Sequence, residues 1–219
     1  MVEIYDPHEQ GEAVKKWLQV NGSAIIMGLV IAFGGLFGFK QWTAYQLNSK
    51  QMAFAEFQLM NDELTEGQLD GAVANYQNLK DEHGNSAYST MAAMQMAKAR
   101  LEAKQFDLAI NHYRFVAEEG FPKAMRVIAR ERLARLLLSE GQAEEALKTL
   151  EAEKNFVGFE ARILETKGDI FNELGRQDEA IAAYQAALDA LESGMGDREM
   201  LVLKLESLGV VQPDEAAAS

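Results

Sequence analysis

The chain repeats itself. "LSEGQAEEALKTL" (138–150) and "ELGRQDEAIAAYQAAL" (173–188) superpose when Ala146 is laid on Ala180, which also puts Gly141 on Gly175 and Leu150 on Tyr184. The pattern returns in "KQFDLAINHY", with Ala109 and Tyr113, and more weakly in "EGQLDGAVANY", with Ala72 and Tyr76. Successive alanines stand 37, 37 and 34 residues apart. A period of this size is one supersecondary unit that cannot bury its apolar face alone, so neighbours must stack into a continuous core. The residues available make that unit helical. Ala, Leu, Glu, Gln and Lys dominate after residue 50 and the whole chain has only three prolines, a composition that favours helix nearly throughout. No run alternates apolar and polar residues with β-branched enrichment, so no sheet is expected. The predicted class is all-α.

At this point the chain resembles the tetratricopeptide repeat. Residues 161–194 carry most of that family's signature, with Leu164, Gly168, Phe171, Ala180, Tyr184 and Ala187 at the family's spacing. The small residues have a physical job: Gly168 and Ala180 are expected where the two helices of a hairpin cross, because a larger side chain would push them apart. Phe171 and Tyr184 are expected to fill the space between neighbouring hairpins. The departure is at the repeat end, where Glu192 replaces the usual proline. "GDREMLVLKLESLG" (196–209) reads as a terminal helix with Asp197 as N-cap and Gly209 as stop. It would cover the exposed face of the last hairpin, as solenoid ends require. The tail 210–219 is expected to be disordered.

The N-terminal part is different in kind. Residues 17–39 carry no charge and make a helix roughly 34 Å long, enough to cross a hydrocarbon core of about 30 Å. Trp17 and Trp42 bracket the segment, with Tyr45 just beyond, as an aromatic belt requires. No polar stripe of the kind a core helix shows runs along it. No small-x-small cleavage site follows the apolar run, and four acidic residues precede it, so the segment reads as an uncleaved signal anchor. Lys15 and Lys16 on one side nearly balance Lys40 and Lys50 on the other, leaving orientation open with only the tighter doublet favouring a cytoplasmic N-terminus. Gly34 and Gly38 form a GxxxG pair, and Ala24, Gly28 and Ala32 repeat at four-residue spacing. Such residues either let a second helix backbone approach closely or reflect the general abundance of glycine in membrane helices. The expected organisation is a tail (1–16), a transmembrane helix (17–40), a juxtamembrane helix or linker (41–52), a repeat domain with its capping helix (53–209) and a terminal tail (210–219).

Chemistry is harder to find. The formal charge of −13 argues against nucleic acid, which wants a basic face, and against a domain lying flat on anionic lipid. Without cysteine there is neither a disulfide framework nor a thiolate metal site. His8, His83 and His112 have no ligand spacing among them. No phosphate loop, nucleophile elbow or zinc-protease motif occurs. Glu144-Glu145 and Asp178-Glu179 stand where second helices start, and there acidic residues complement the helix dipole. No catalytic residue, cofactor or metal is expected, and the chain reads as an interaction protein.

A helical solenoid of this kind presents an inner groove lined by the first helix of each hairpin. Projecting the period gives Phe54, Phe57, Leu64, Met91, Met94 and Leu101 toward the N-terminal end, and Arg135, Arg162, Asp169 and Asn172 toward the other. The methionine-rich half suits adaptable apolar partners; the alternative is that several of these positions belong to the core. The positions where related solenoids carry Lys and Asn to grip acidic chaperone tails hold Ile128, Glu131 and Arg135 here, which weakens that reading.

The order "EAVKKWLQVNG", glycine-rich span, "FKQW", helical repeats and closing "LKLESLG" resembles the YfgM-type ancillary subunits of the bacterial Sec translocon. The resemblance implies a single-pass inner-membrane protein with a cytoplasmic N-terminus and a periplasmic repeat domain. It also implies association with the SecYEG channel and with a membrane-anchored periplasmic chaperone of the prolyl-isomerase type. Exported client proteins would be handed onward, and some members are linked to control of an envelope-stress regulator. The alternatives are a membrane-anchored scaffold of the same fold serving envelope assembly or division without translocon contact, and a sensor whose repeat domain takes a ligand.

Overall fold

The computed structural model describes residues 7–152, 156, 158–191 and 198–210. Among them are helices and no strands: α1 (Pro7–Thr65), α2 (Leu69–His83), α3 (Ala87–Glu102), α4 (Phe106–Glu119), α5 (Ala124–Ser139), α6 (Ala143–Glu151), α7 (Glu160–Glu173), α8 (Gln177–Ala190) and α9 (Arg198–Ser207). The chain divides into two compact units, Met1–Met52 and Ala53–Ser219.

In the first unit, α1 opens on a proline, which at the first helical position loses no hydrogen bond and has its φ already set. The apolar stretch is long enough to cross a membrane, and none of its most apolar window is buried by protein. Ile26, Leu29, Val30, Phe33, Leu36 and Phe37 all stand exposed. A helix apolar on every side, with several glycines, has little reason to hold together in water. In hydrocarbon each backbone group must be satisfied within the helix, and this sequence becomes stable there.

The second unit stacks four hairpins. Residues 53–65 of α1 lead through the turn at Gly67 into α2, with the Glu63 side chain against Gly71; then come the pairs α3–α4, α5–α6 and α7–α8, with α9 after the last. The turn inside each hairpin has one geometry. A residue with positive φ ends the first helix: Gly67, Lys104, Gly141 and Gly175. The N–H of the next residue then donates to the carbonyl five positions back, Gln68 to Glu63, Gln105 to Arg100, Gln142 to Leu137 and Arg176 to Phe171, each at 2.8 Å. This left-handed cap satisfies carbonyls that the helix end would otherwise leave orphaned. Three of the four positions are glycine, the residue without a Cβ penalty there.

The repeated residues lie in the core as their spacing predicts. Ala72, Ala109, Ala146 and Ala180 are fully buried at the start of each second helix, and Tyr76, Tyr113, Leu150 and Tyr184 are buried one turn later. A Cβ added to Gly168 would run into the ring of Tyr184, so the crossing of α7 over α8 is as close as glycine permits. Phe171 packs against both buried clusters of the domain, and Arg176 lies over its ring at 4.6 Å. α9 closes the stack: Leu201 and Leu205 bury against Ala180, Tyr184, Ala187 and Leu188, each worth about 1.5–3 kcal/mol. It ends at Gly209, whose φ is +84°, with Val210 N–H donating to Leu205 C=O at 3.0 Å. Asp197, the expected N-cap, Glu192 and the tail beyond Val210 lie outside the described residues.

Candidate partner groove

The positions projected onto the groove lie on residues 53–65 of α1 and on α3, α5 and α7, and their character changes along that order. At the N-terminal end Phe54 is 41% exposed and Met91 42% exposed. Between them Phe54 and Tyr88 have ring centroids 5.3 Å apart, and Phe57 and Tyr88 5.9 Å. Phe57, Leu64 and Leu101 are half-buried against the core. Met94 departs from the expectation: at 7% exposure it is a core residue. The reason is the helix it sits on. Ser89, Thr90, Ala92, Ala93, Met94, Met96 and Ala97 are all buried, because α3 lies inside the stack and is covered on more than one side. A single-face projection of the period therefore cannot separate groove from core there.

At the other end the face is ionic. The Glu131 side chain is only 6% exposed and is held by Arg135 Nε at 2.5 Å, with Arg162 Nε at 3.9 Å. Arg135 also donates to Thr166 Oγ1 at 3.3 Å and stands 3.9 Å from Glu165. Lys204 of α9 bonds Glu165 and Asp169, each at 2.7 Å. Asp169 in turn accepts from the Tyr184 hydroxyl at 2.8 Å. Burial first, and then that hydrogen bond, push the Tyr184 hydroxyl well above the usual phenol range. Three carboxylates thus face three cations, and the chain is locally neutral inside an acidic domain. Arg135, Arg162 and Asp169, all projected onto the groove by the period, belong to this one network.

Two parts of this site were not read from the sequence. Tyr88 stands in the first turn of α3, three residues before Met91, and that i, i+3 spacing was the available signal. Lys204 lies on the capping helix, and only the fold brings it to α7.

His112 meets Tyr76 edge-on at 5.0 Å; burial, then Arg100 and Lys80, lower its pKa to about 4. It is a neutral ring at physiological pH. Glu56, Glu82 and His83 bring potential metal-ligand atoms within 4.8 Å of one another; Glu56 Oε2 is buried without a hydrogen-bond partner, while Glu82 is solvent-exposed. In the span, a Cβ at Gly28, Gly34 or Gly38 would meet nothing within 4 Å, and Ala32 is likewise exposed. At 3.6 residues per turn the Gly28/Ala32 pair and the Gly34/Gly38 pair lie roughly 120° apart around the axis. The small residues form two short stripes, not one seam.

Comparison with known proteins places this geometry. A protein named "Ancillary SecYEG translocon subunit" from Escherichia coli (strain K12) is 25% identical over 210 residues, covering 95% of this chain and 100% of that protein. One of the same name from Aggregatibacter actinomycetemcomitans is 26% identical over 208 residues, covering 95% and 100%. Among solved structures, BtubC (BKLC) from P. vanneervenii superposes with a TM-score of 0.55 at 16% identity, covering 81% of this chain and 78% of that one; this likeness is one of fold. The family model described as "Tetratricopeptide repeat-like domain" matches residues 15–210, span and hairpins together. The chain belongs to the tetratricopeptide repeat-like domain family.

Proposed function

We propose that this protein is a non-enzymatic ancillary subunit of the SecYEG translocon. The apolar part of α1 anchors it in the inner membrane with its N-terminus in the cytoplasm. The hairpin domain then works in the periplasm, where its groove contacts a membrane-anchored prolyl-isomerase-type chaperone and exported client proteins. The observation that carries this reading is the extent of the similarity: relatives named for the translocon align over 95% of this chain and 100% of their own length, so the alignment takes in the apolar helix as well as the hairpins. A link to an envelope-stress regulator belongs to the same proposal and has only the family resemblance behind it.

The test is recovery of partners with the tagged full-length chain after mild detergent extraction. SecY should co-purify with it, together with a prolyl-isomerase-type chaperone. Recovery of division or envelope-assembly proteins without SecY would replace this reading with the membrane-anchored scaffold. Protease added outside spheroplasts should digest the domain from about residue 45 onward, given a span of roughly 20 residues; complete protection would reverse the orientation.

A further inference from the structure

Four aromatic rings of this domain have a cation over them. Lys80 lies over Phe115 at 4.6 Å, Arg176 over Phe171 at 4.6 Å, Lys204 over Tyr184 at 5.5 Å and Lys167 over Phe156 at 6.0 Å. The groove cluster is among the rings without one, and it groups three rings together. Among the described residues no Lys or Arg lies over Phe54, Phe57 or Tyr88, although their rings are clustered and Phe54 is 41% exposed. The neighbouring Met91 adds an exposed, polarizable thioether, a side chain that adapts to varied apolar shapes.

Charge points the same way. Residues 53–102, which supply this cluster, hold eight Asp and Glu against three Lys and Arg. Their field draws in cations and repels acidic segments, and a ring face within about 6 Å of a cation attracts it further. We infer that Phe54, Phe57, Tyr88 and Met91 form a docking site for polypeptide segments in which Arg or Lys alternates with large apolar side chains. Such segments are accessible before a protein folds, since large apolar residues are buried afterwards. The inference rests on the proposed function, whose clients it gives a chemistry. A second copy of this chain is the wrong occupant, because each copy carries a formal charge of −13.

The experiment uses the full chain in neutral-lipid nanodiscs, with empty discs as control. The probe is a short fluorescent peptide alternating Phe and Arg, compared with versions carrying Glu for Arg or Ser for Phe. Both changes should weaken binding roughly tenfold or more, since each removes one of the two attractions. Phe54→Leu and Tyr88→Leu, which keep apolar bulk and lose the ring, should weaken the Phe/Arg peptide several-fold; Phe54→Leu should do so with an unchanged melting temperature, and Tyr88→Leu, which also packs on the core, with the domain still folded at the assay temperature. Phe54→Tyr should restore it. Equal binding of the Glu peptide, or wild-type binding by both leucine variants, overturns the inference. So does sedimentation showing that the cluster is occupied by a second copy. SecY recovery, measured in parallel, keeps the two ideas apart: its loss from the wild-type chain defeats the translocon reading, while its persistence alongside failed peptide binding defeats only this site.

Discussion

Lys104 occupies the left-handed turn position that Gly67, Gly141 and Gly175 fill elsewhere, with φ at +57°. A side chain there crowds the following carbonyl at a cost of about 1–2 kcal/mol, partly offset by the lower entropy of a non-glycine residue in the unfolded chain. Lys104→Gly is expected to stabilise the domain by up to about 1 kcal/mol, read as a higher melting temperature. Met94 gives the opposite sign. Met94→Glu places an unpaired charge in the core and should cost about 3 kcal/mol or more; a variant that melts like wild type would put Met94 back on the groove. His112 links stability to pH. Its folded pKa of about 4 lies below the ordinary value near 6.5, so the neutral ring favours the folded state. That contribution is complete above the ordinary value and is lost as pH falls toward 4, by about 3 kcal/mol at most. In His112→Phe, which keeps a ring against Tyr76, stability should fall less steeply over that interval in chemical denaturation at stepped pH.

The hairpin register was readable because the small and turn-forming residues that set it are few and repeated. Ala72, Ala109, Ala146 and Ala180 mark where helices must approach, and no larger residue would do. The groove was read less well, because spacing assigns a face without saying how many neighbours cover it. Met94 was therefore misplaced and Tyr88 passed over. The ionic end depends on distance along the chain: Lys204 pairs with Glu165, 39 residues earlier in sequence, and no local pattern announces it. That pairing fastens α9 to α7. Lys204→Met would leave Glu165 and Asp169 facing each other without their shared cation. Both carboxylates keep about a quarter of their surface in solvent, so the expected loss is modest, about 1 kcal/mol. Hydrogen exchange should show it as faster opening of α9 with α3 and α4 unaffected, and uniform protection would show that the cap is held by Leu201 and Leu205 alone.

The chain combines a helix long and apolar enough to cross a membrane with a hairpin stack that has its own core, and each can be perturbed by itself. Gly34→Leu with Gly38→Leu adds bulk to one of the two small-residue stripes. If that stripe packs on another membrane protein, co-purification of SecY should weaken by about 1–2 kcal/mol in apparent affinity, while the melting of the domain stays put. The same change made at Gly28 and Ala32, on the other side of the helix, serves as the comparison. Within the stack, the four turns carry one backbone geometry at 37-, 37- and 34-residue steps. Each unit counted from one such turn to the next therefore begins and ends on the same kind of junction. A duplicated stretch running from Gln142 through Gly175 would meet its neighbours through a turn they already make. Its new seam would pair a first helix of the α7 kind with a second helix of the α6 kind, the helix order of every hairpin in the stack. Lineages can lengthen or shorten such a protein by whole hairpins in a single genetic event, without redesigning the anchor at one end or the α9 seal at the other.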